Sequence, residues 1–230
     1  MTGEPETLAA NEPLAARRER HNFDRLIMLS DGVFAIAMTL LALDVRVPAG
    51  SEAHLASLWA ALEPVLSAYA LSFLVISAYW LLHRRSMAVI LRVDAIAAVL
   101  NLLVLGLVSL LPAGTRLASS GQAMSPGLGL YAGLVIAIGA AVACFWGYAA
   151  LIGHLVSPEV GRRERWVTFL GVLLSAPLFL LLTIGGRVPP GVVPAVLLVL
   201  FVVGWMILQR LTRGPSAKPR PVADAGAAKP

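Results

Sequence analysis

Long apolar stretches separated by short polar segments constrain this chain more than any other feature of its sequence. Six of them approach or exceed the roughly 20 apolar residues that a helix needs to cross about 30 Å of hydrocarbon. Hydrophobic residues make up 58% of the 230 residues and charged residues 13%, against about 25% charged in soluble domains. The sequence therefore predicts an all-α integral membrane protein with six transmembrane helices. The predicted spans are residues 26–47, 64–82, 95–111, 128–153, 166–185 and 191–208.

Prolines and polar segments mark the ends of these spans. Pro64 suits the first turn of the second helix, and Pro112 is expected to end the third. Residues 1–24 contain no apolar run long enough for a signal peptide, so we expect a retained cytoplasmic segment there. Residues 25–211 then form the membrane domain. Residues 212–230 are rich in proline and poor in large apolar side chains, which predicts a disordered cytoplasmic tail.

Basic residues are distributed unevenly between the two sides of the predicted membrane domain. Of the 18 Lys and Arg residues, 15 lie in the N-terminal segment, the second-to-third loop, the fourth-to-fifth loop and the C-terminal tail. The opposite side carries only Arg46, Arg116 and Arg187. Cytoplasmic loops carry the excess of Lys and Arg, so we expect a multi-pass protein of the cell membrane with both termini cytoplasmic. The same distribution accounts for the net charge of +5 without a nucleic-acid partner.

The first span carries a row of aliphatic side chains. Ile36, Leu40 and Leu43 recur at helical spacing and lie within about 60° of one another at 100° per residue. Thr39 borders this row. Most such rows simply pack against another helix, and that interpretation stays open beside a functional one.

An acidic residue lies inside the same span. Asp31 is about two turns from its start, and a charged side chain costs about 2.5–3.5 kcal/mol at the centre of a membrane helix. It therefore needs a partner or water. The candidates on spans that end at the same membrane level are Arg25, His83 and Asn101.

Other reactive or charged residues have plain interpretations. Cys144 is the only cysteine, so it is expected to be a small buried hydrophobic residue. Asp44 is expected to pair with its neighbour Arg46 at the membrane interface. No nucleophile elbow, zinc-binding helix motif, phosphate loop or dinucleotide fingerprint occurs in the sequence, so we predict neither an enzyme nor a metal site.

Three segments together resemble a known family. Residues 25–31, Arg-Leu-Ile-Met-Leu-Ser-Asp, resemble the first-helix signature Arg-x-x-x-Phe-Ser-Asp of the transmembrane protein 175 family of potassium channels, with Leu29 in place of the family's Phe. Residues 80–84, Trp-Leu-Leu-His-Arg, are similar to the family's Trp-x-x-His-His. Residues 101–112 look like the family's third helix. The resemblance extends over all six spans and has specific motifs in three of them.

The resemblance implies a six-helix subunit that assembles as a homotetramer in the lipid bilayer, with the first helix lining a central pore. It implies passive conduction of K+ without a cofactor and without the Thr-Val-Gly-Tyr-Gly filter, which this sequence also lacks. A ring of four aliphatic side chains narrows such a path until ions must shed water, and K+ sheds water more readily than Na+. The pore and selectivity residues implied by the resemblance are Ile36, Thr39, Leu40 and Leu43.

The resemblance also implies an intracellular cluster that anchors the pore helix and has a structural or gating role. Its residues are Arg25, Ser30, Asp31, Trp80, His83 and Asn101.

Two other functions are compatible with the residues. One is a proton-coupled secondary transporter in which Asp31 and His83 relay protons. The other is a non-conducting membrane scaffold whose aliphatic row only mediates oligomerisation. Because spans one to three show no repeat symmetry with spans four to six, the sequence favours a channel over a transporter.

Overall fold

The computed structural model describes residues 13–46, 54–119 and 126–184, and this part of the chain is all-helical. Four helices, the fourth counted with a closing π-helical turn, are long and apolar enough to cross a membrane. A fifth helix coincides with the fifth predicted span. The sixth predicted span and the predicted disordered tail lie outside the described residues. The helices are α1 (Leu14–Leu43), α2 (Leu55–Val89), α3 (Ala95–Ser119), α4 (Pro126–Gly147, followed by the π turn Tyr148–Ile152) and α5 (Arg162–Ile184).

The first helix begins twelve residues before the predicted start of the first span. Part of the predicted N-terminal segment is therefore helical, and α1 carries a polar extension ahead of its apolar part. The residue preceding this helix is Pro13, and no further proline interrupts the chain up to Leu43. Proline is well suited to helix starts, so the helix forms from that point regardless of where the apolar run begins.

Two prolines that were expected at helix ends lie inside helices instead. Pro64 is nine residues into α2, and α3 continues for seven residues beyond Pro112. Proline has no backbone N–H, so Pro112 cannot donate a hydrogen bond to the carbonyl of Val108, four residues earlier. Ending a helix within hydrocarbon would leave more backbone groups without partners, so continuing it costs less. The hydroxyl oxygen of Thr115 also lies 2.9 Å from the Leu111 carbonyl oxygen, next to this gap in the backbone bonding.

Buried hydrogen bonds join α2, α3 and α4 within the bundle. The hydroxyl of Thr115 on α3 donates to that of Ser72 on α2 at 2.8 Å, and Ser72 donates to the hydroxyl of Tyr131 on α4 at 3.2 Å. The hydroxyl of Tyr79 on α2 donates to the Val135 carbonyl on α4 at 3.0 Å. In a medium where apolar contacts between helices gain little over lipid, such bonds and close packing hold the helices in register.

An ion pair connects the C-terminal ends of α1 and α3. The guanidinium of Arg116 lies 3.1 Å from the carboxylate of Asp44. Asp44 was expected to pair with Arg46, and that prediction is wrong, because α3 continues beyond Pro112 and carries Arg116 to the level of Asp44. The two helices therefore run parallel, as alternate spans of a membrane bundle should.

The last described helix pair approaches closely. A Cβ atom at Gly147 would lie 2.9 Å from the ring of Phe169, so a larger residue at this contact between α4 and α5 would require that ring to move. Cys144, one turn earlier, faces outward from the described bundle. The prediction that this cysteine is buried is therefore wrong.

Candidate pore helix and its anchoring cluster

One face of α1 packs into the bundle. Phe34, Ala37 and Leu41 are almost completely buried and recur at intervals of three and four residues, which places them on one side of the helix. They contact the buried side chains of the neighbouring helices. This face fixes the rotation of α1 relative to α2 and α3.

The predicted aliphatic row lies on the other side of α1. Ile36 is 59% exposed, Leu40 41% and Leu43 69%, and Thr39 between them is exposed as well. The row therefore packs against none of the described helices. Packing within the chain does not explain it among these helices. From Ile36 to Leu43 the row extends about 10 Å along the helix axis.

Thr39 adds a polar atom to this exposed face. Its hydroxyl donates to the carbonyl of Ile36 at 2.9 Å, one turn earlier in the same helix. That bond uses the hydroxyl hydrogen and leaves the oxygen lone pairs available. The exposed face thus offers oxygen ligands next to the aliphatic side chains.

A buried hydrogen bond joins α1 to α3. The side-chain amide of Asn101 donates to the hydroxyl of Ser30 at 3.1 Å, and Ser30 in turn donates to the Leu26 carbonyl at 2.8 Å. Ser30 and Asn101 are both completely buried. The structure therefore brings these two predicted residues into direct contact.

Asp31 interacts with α2. The indole N–H of Trp80 donates to its carboxylate at 2.9 Å. The guanidinium of Arg84, one turn further along α2, lies 5.4 Å from the centre of the Trp80 ring. None of the three partners expected from the sequence, Arg25, His83 and Asn101, hydrogen-bonds to Asp31, although Trp80 belongs to the cluster that the resemblance implied.

His83 occupies an aromatic pocket. Its ring is fully buried and lies 5.6 Å from the ring of Phe34 on α1 and 5.6 Å from that of Phe145 on α4. Neither ring nitrogen has a hydrogen-bond partner in the described part of the chain. His83 therefore contributes packing, and the sequence pattern gave no indication of Phe145 because it lies 62 residues away on another helix.

Arg25 does not join the cluster. It is exposed on α1, and within residues 13–46, 54–119 and 126–184 it makes neither a hydrogen bond nor an ion pair. The other five predicted residues meet where α1, α2 and α3 pack together. In the same ranges no group of three His, Cys, Asp or Glu side chains is arranged to hold a metal ion.

Known proteins resemble this chain in sequence. The sequence pattern of the family of the endosomal/lysosomal potassium channel TMEM175 matches residues 25–112, which include most of α1, all of α2, most of α3 and every residue of the cluster. A potassium channel of Streptomyces collinus is 36% identical over 59% of this chain and 68% of its own length. The human endosomal/lysosomal proton channel TMEM175 is 28% identical over 66% of this chain and 32% of its own length.

A solved structure of a TMEM175 homolog also matches this chain. The crystal structure of a lysosomal potassium-selective channel TMEM175 homolog from Chamaesiphon minutus superposes with a TM-score of 0.57 and 28% identity, over 80% of this chain and 97% of that chain. Its match extends well beyond the three helices that carry the motifs. The chain is a membrane protein that belongs to the TMEM175 family of ion channels.

Proposed function

We propose that this protein is a potassium-selective channel of the cell membrane. Four copies assemble around a central pore, and α1 of each copy lines it. Ile36, Leu40 and Leu43 form successive aliphatic rings, and Thr39 adds a ring of hydroxyl oxygens. K+ passes down its gradient without a cofactor, and both termini are cytoplasmic.

One observation carries this proposal. The two faces of α1 are both apolar, yet Leu41 is buried in the bundle while its neighbour Leu40 is exposed beside Ile36 and Leu43. In a bilayer the bare side of such a helix faces either lipid tails or another protein surface, and the exposed Thr39 hydroxyl beside Ile36 favours a polar path over lipid tails. The relatives named as potassium channels support a path for K+ in this protein, and we place that path between copies of α1.

Selectivity follows from partial dehydration. A ring of four aliphatic side chains offers no strong ligands, so an ion crosses only if it gives up hydration water at low cost. K+ holds its water less tightly than Na+ and is therefore favoured. The Thr39 oxygens replace part of the lost hydration on one side of the Ile36 ring.

The anchoring cluster keeps the pore helix in place. Ser30 and Asp31 lie five to six residues before Ile36, and their bonds to Asn101 and Trp80 fasten this end of α1 to both neighbouring helices. Rotation of α1 would break both bonds at once. The cluster therefore sets which face of α1 points into the pore.

The test is K+ flux through purified protein in liposomes, with K+ and Na+ gradients compared. The Ile36→Asn variant widens and wets the proposed constriction, so we expect faster flux and a lower preference for K+. Ile136→Asn is the matched control, because Ile136 is an exposed isoleucine on α4 rather than on α1. We expect that variant to conduct like the wild type.

Three outcomes would contradict the proposal. If Ile36→Asn and Ile136→Asn change the flux equally, α1 does not line the pore. No flux through either the wild type or Ile36→Asn would favour the scaffold. Flux that requires a proton gradient would favour the transporter, and a pH-sensitive dye in the same liposomes detects it. Native mass spectrometry of the purified protein checks for four copies.

A further inference from the structure

Two loops at one end of the bundle are fastened to each other. The backbone N–H of Leu91 donates to the Leu155 carbonyl at 2.9 Å, and that of Ser157 donates to the Val89 carbonyl at 2.9 Å. These bonds join the loop between α2 and α3 to the segment between α4 and α5. We call residues 90–94 and 153–161 the loop shelf.

Two charged side chains at the loop shelf, Arg165 and Asp94, are held by hydrogen bonds. Arg165 donates to three backbone carbonyls, those of Ala150 at 2.9 Å, Val160 at 3.0 Å and Ser157 at 3.2 Å. Asp94 accepts the hydroxyl of Tyr148 at 2.6 Å. These contacts give the two loops a fixed shape, so residues attached to them are held at fixed positions.

Three arginines beside these groups point outward. Arg92, Arg162 and Arg163 are exposed, and no hydrogen bond or ion pair engages them in the described part of the chain. Of the acidic residues nearby, Glu164 lies 4.0 Å from Arg85, Asp94 is bound as described above, and Glu159 is exposed. The outward surface of the shelf therefore carries three arginines against the two exposed carboxylates of Asp94 and Glu159, which leaves it net positive.

The exposed face of α5 continues from this surface. Trp166 follows Arg162 by four residues and is 44% exposed, and Leu170 and Leu174 follow at the same interval, both exposed. At 1.5 Å per residue, the indole lies about 6 Å beyond Arg162 and the leucines about 12 and 18 Å beyond it. Along this face the charged Arg162 comes first, the Trp166 ring second and the leucines last. A lipid leaflet has the same order, with its headgroup first, its interface second and its acyl chains last.

We propose that the loop shelf and this face of α5 bind an anionic phospholipid. Arg162 and Arg163 contact the negatively charged headgroup, Arg92 on the other loop of the shelf adds to the positive charge, and an acyl chain lies along Trp166, Leu170 and Leu174. The charge of the surface is complementary to an anionic headgroup, and basic residues near the membrane surface attract such lipids. This inference does not depend on ion conduction.

The test measures lipid binding to the purified full-length protein in detergent. Native mass spectrometry counts retained lipids, with phosphatidylglycerol as the anionic probe and phosphatidylcholine as the zwitterionic one. We expect phosphatidylglycerol to be retained preferentially, and Arg162→Gln/Arg163→Gln to weaken its binding by about tenfold. Arg18→Gln/Arg46→Gln removes the same charge from exposed sites outside the shelf and should bind like the wild type.

The salt dependence of lipid binding by the wild-type protein is a second test that needs no variant. Raising the salt from about 0.05 to 0.5 M should weaken phosphatidylglycerol binding and leave phosphatidylcholine binding unchanged, because only the first relies on charge. Equal retention of the two lipids would overturn the proposal. Equal losses of phosphatidylglycerol binding in the two double variants would also overturn it, because the lipid would then respond to the total charge of the protein and not to these arginines. Neither assay uses flux, so failure of the lipid site and failure of the channel are separate results.

Discussion

The side-chain amide of Asn101 donates to the hydroxyl of Ser30 at 3.1 Å, so a residue in the second turn of α3 holds α1 about 9 Å from Ile36 along its axis. Both groups are completely buried. Water cannot replace either partner, so the bond acts together with the buried face of Phe34, Ala37 and Leu41 in holding the rotation of α1. The proposed pore face depends on this rotation.

Replacing Asn101 should show this bond directly. Asn101→Leu should lower the free energy of unfolding by about 1 kcal/mol, since hydrogen bonds between membrane helices average about 0.6 kcal/mol and reach about 1.7 kcal/mol. Unfolding in a denaturing detergent measures the change. Combined with Ser30→Ala, the two losses should be less than additive, because each removes the same bond. Fully additive losses would contradict the coupling, and Ser109→Ala, exposed and bonded to its own helix, is the control.

Two variants of Asp31 separate its charge from its hydrogen bond. Asp31→Asn keeps an oxygen that accepts the indole N–H of Trp80, so we expect a normally assembled protein. Asp31→Ala leaves that N–H without a partner at the junction of α1 and α2 and should reduce recovery of assembled protein several-fold. Size-exclusion chromatography of the purified variants measures recovery. Equal losses in both variants would mean that the charge, and not the bond, is required.

Neighbouring leucines on α1 provide a matched pair. Leu41→Ala removes a buried side chain and should cost about 2 kcal/mol of stability, near the low end for core leucines because lipid is as apolar as the core. It should leave the ratio of K+ to Na+ flux unchanged. Leu40→Ala should do the opposite, with little loss of stability and a lower flux ratio. A flux ratio that changes equally in both variants would contradict the division of α1 into core and pore faces.

Acid sensitivity at the loop shelf depends on Asp94. The hydroxyl of Tyr148 and the backbone N–H of Ala97 both donate to this carboxylate, and they lower the pKa of Asp94 below its ordinary value of 3.8. A lowered pKa stabilises the fold above pH 3.8, and this contribution is lost as the pH falls through the pKa of the folded protein. Tyr148→Phe removes the largest cause, so the variant should be less stable than the wild type above pH 4 and should lose less thermal stability as the pH falls from 4 to 3. Superimposable profiles of Tm between pH 6 and 3 would refute this assignment.

The sequence predicted the helical class, the apolar face of α1 and most of the cluster because each leaves a periodic or local pattern. Ile36, Leu40 and Leu43 follow one another on one helix, and Ser30 and Asp31 are adjacent. Partners on different helices leave no such pattern. The bonds from Trp80 to Asp31 and from Arg116 to Asp44, and the contact of Phe145 with His83, depend on how far the helices extend and how they rotate.

Helix ends were the weakest part of the prediction for a related reason. Local signals at Pro64 and Pro112 favour breaks, whereas the need to satisfy backbone groups in hydrocarbon favours continuation. The second effect is stronger here. Composition alone does not show this, because the same prolines would end helices in a soluble protein.

The third helix is attached to the first near both of its ends, and Pro112 lies between the two attachments. The attachment at Ser30 and Asn101 and the one at Asp44 and Arg116 are about 21 Å apart along α1 and about 22 Å apart along α3, so the two helices are matched in length. A continuous rod between such points would carry any tilt of one end directly to the other. Pro112 leaves one backbone bond of α3 unmade between the two attachments, so bending α3 there costs less than bending it elsewhere.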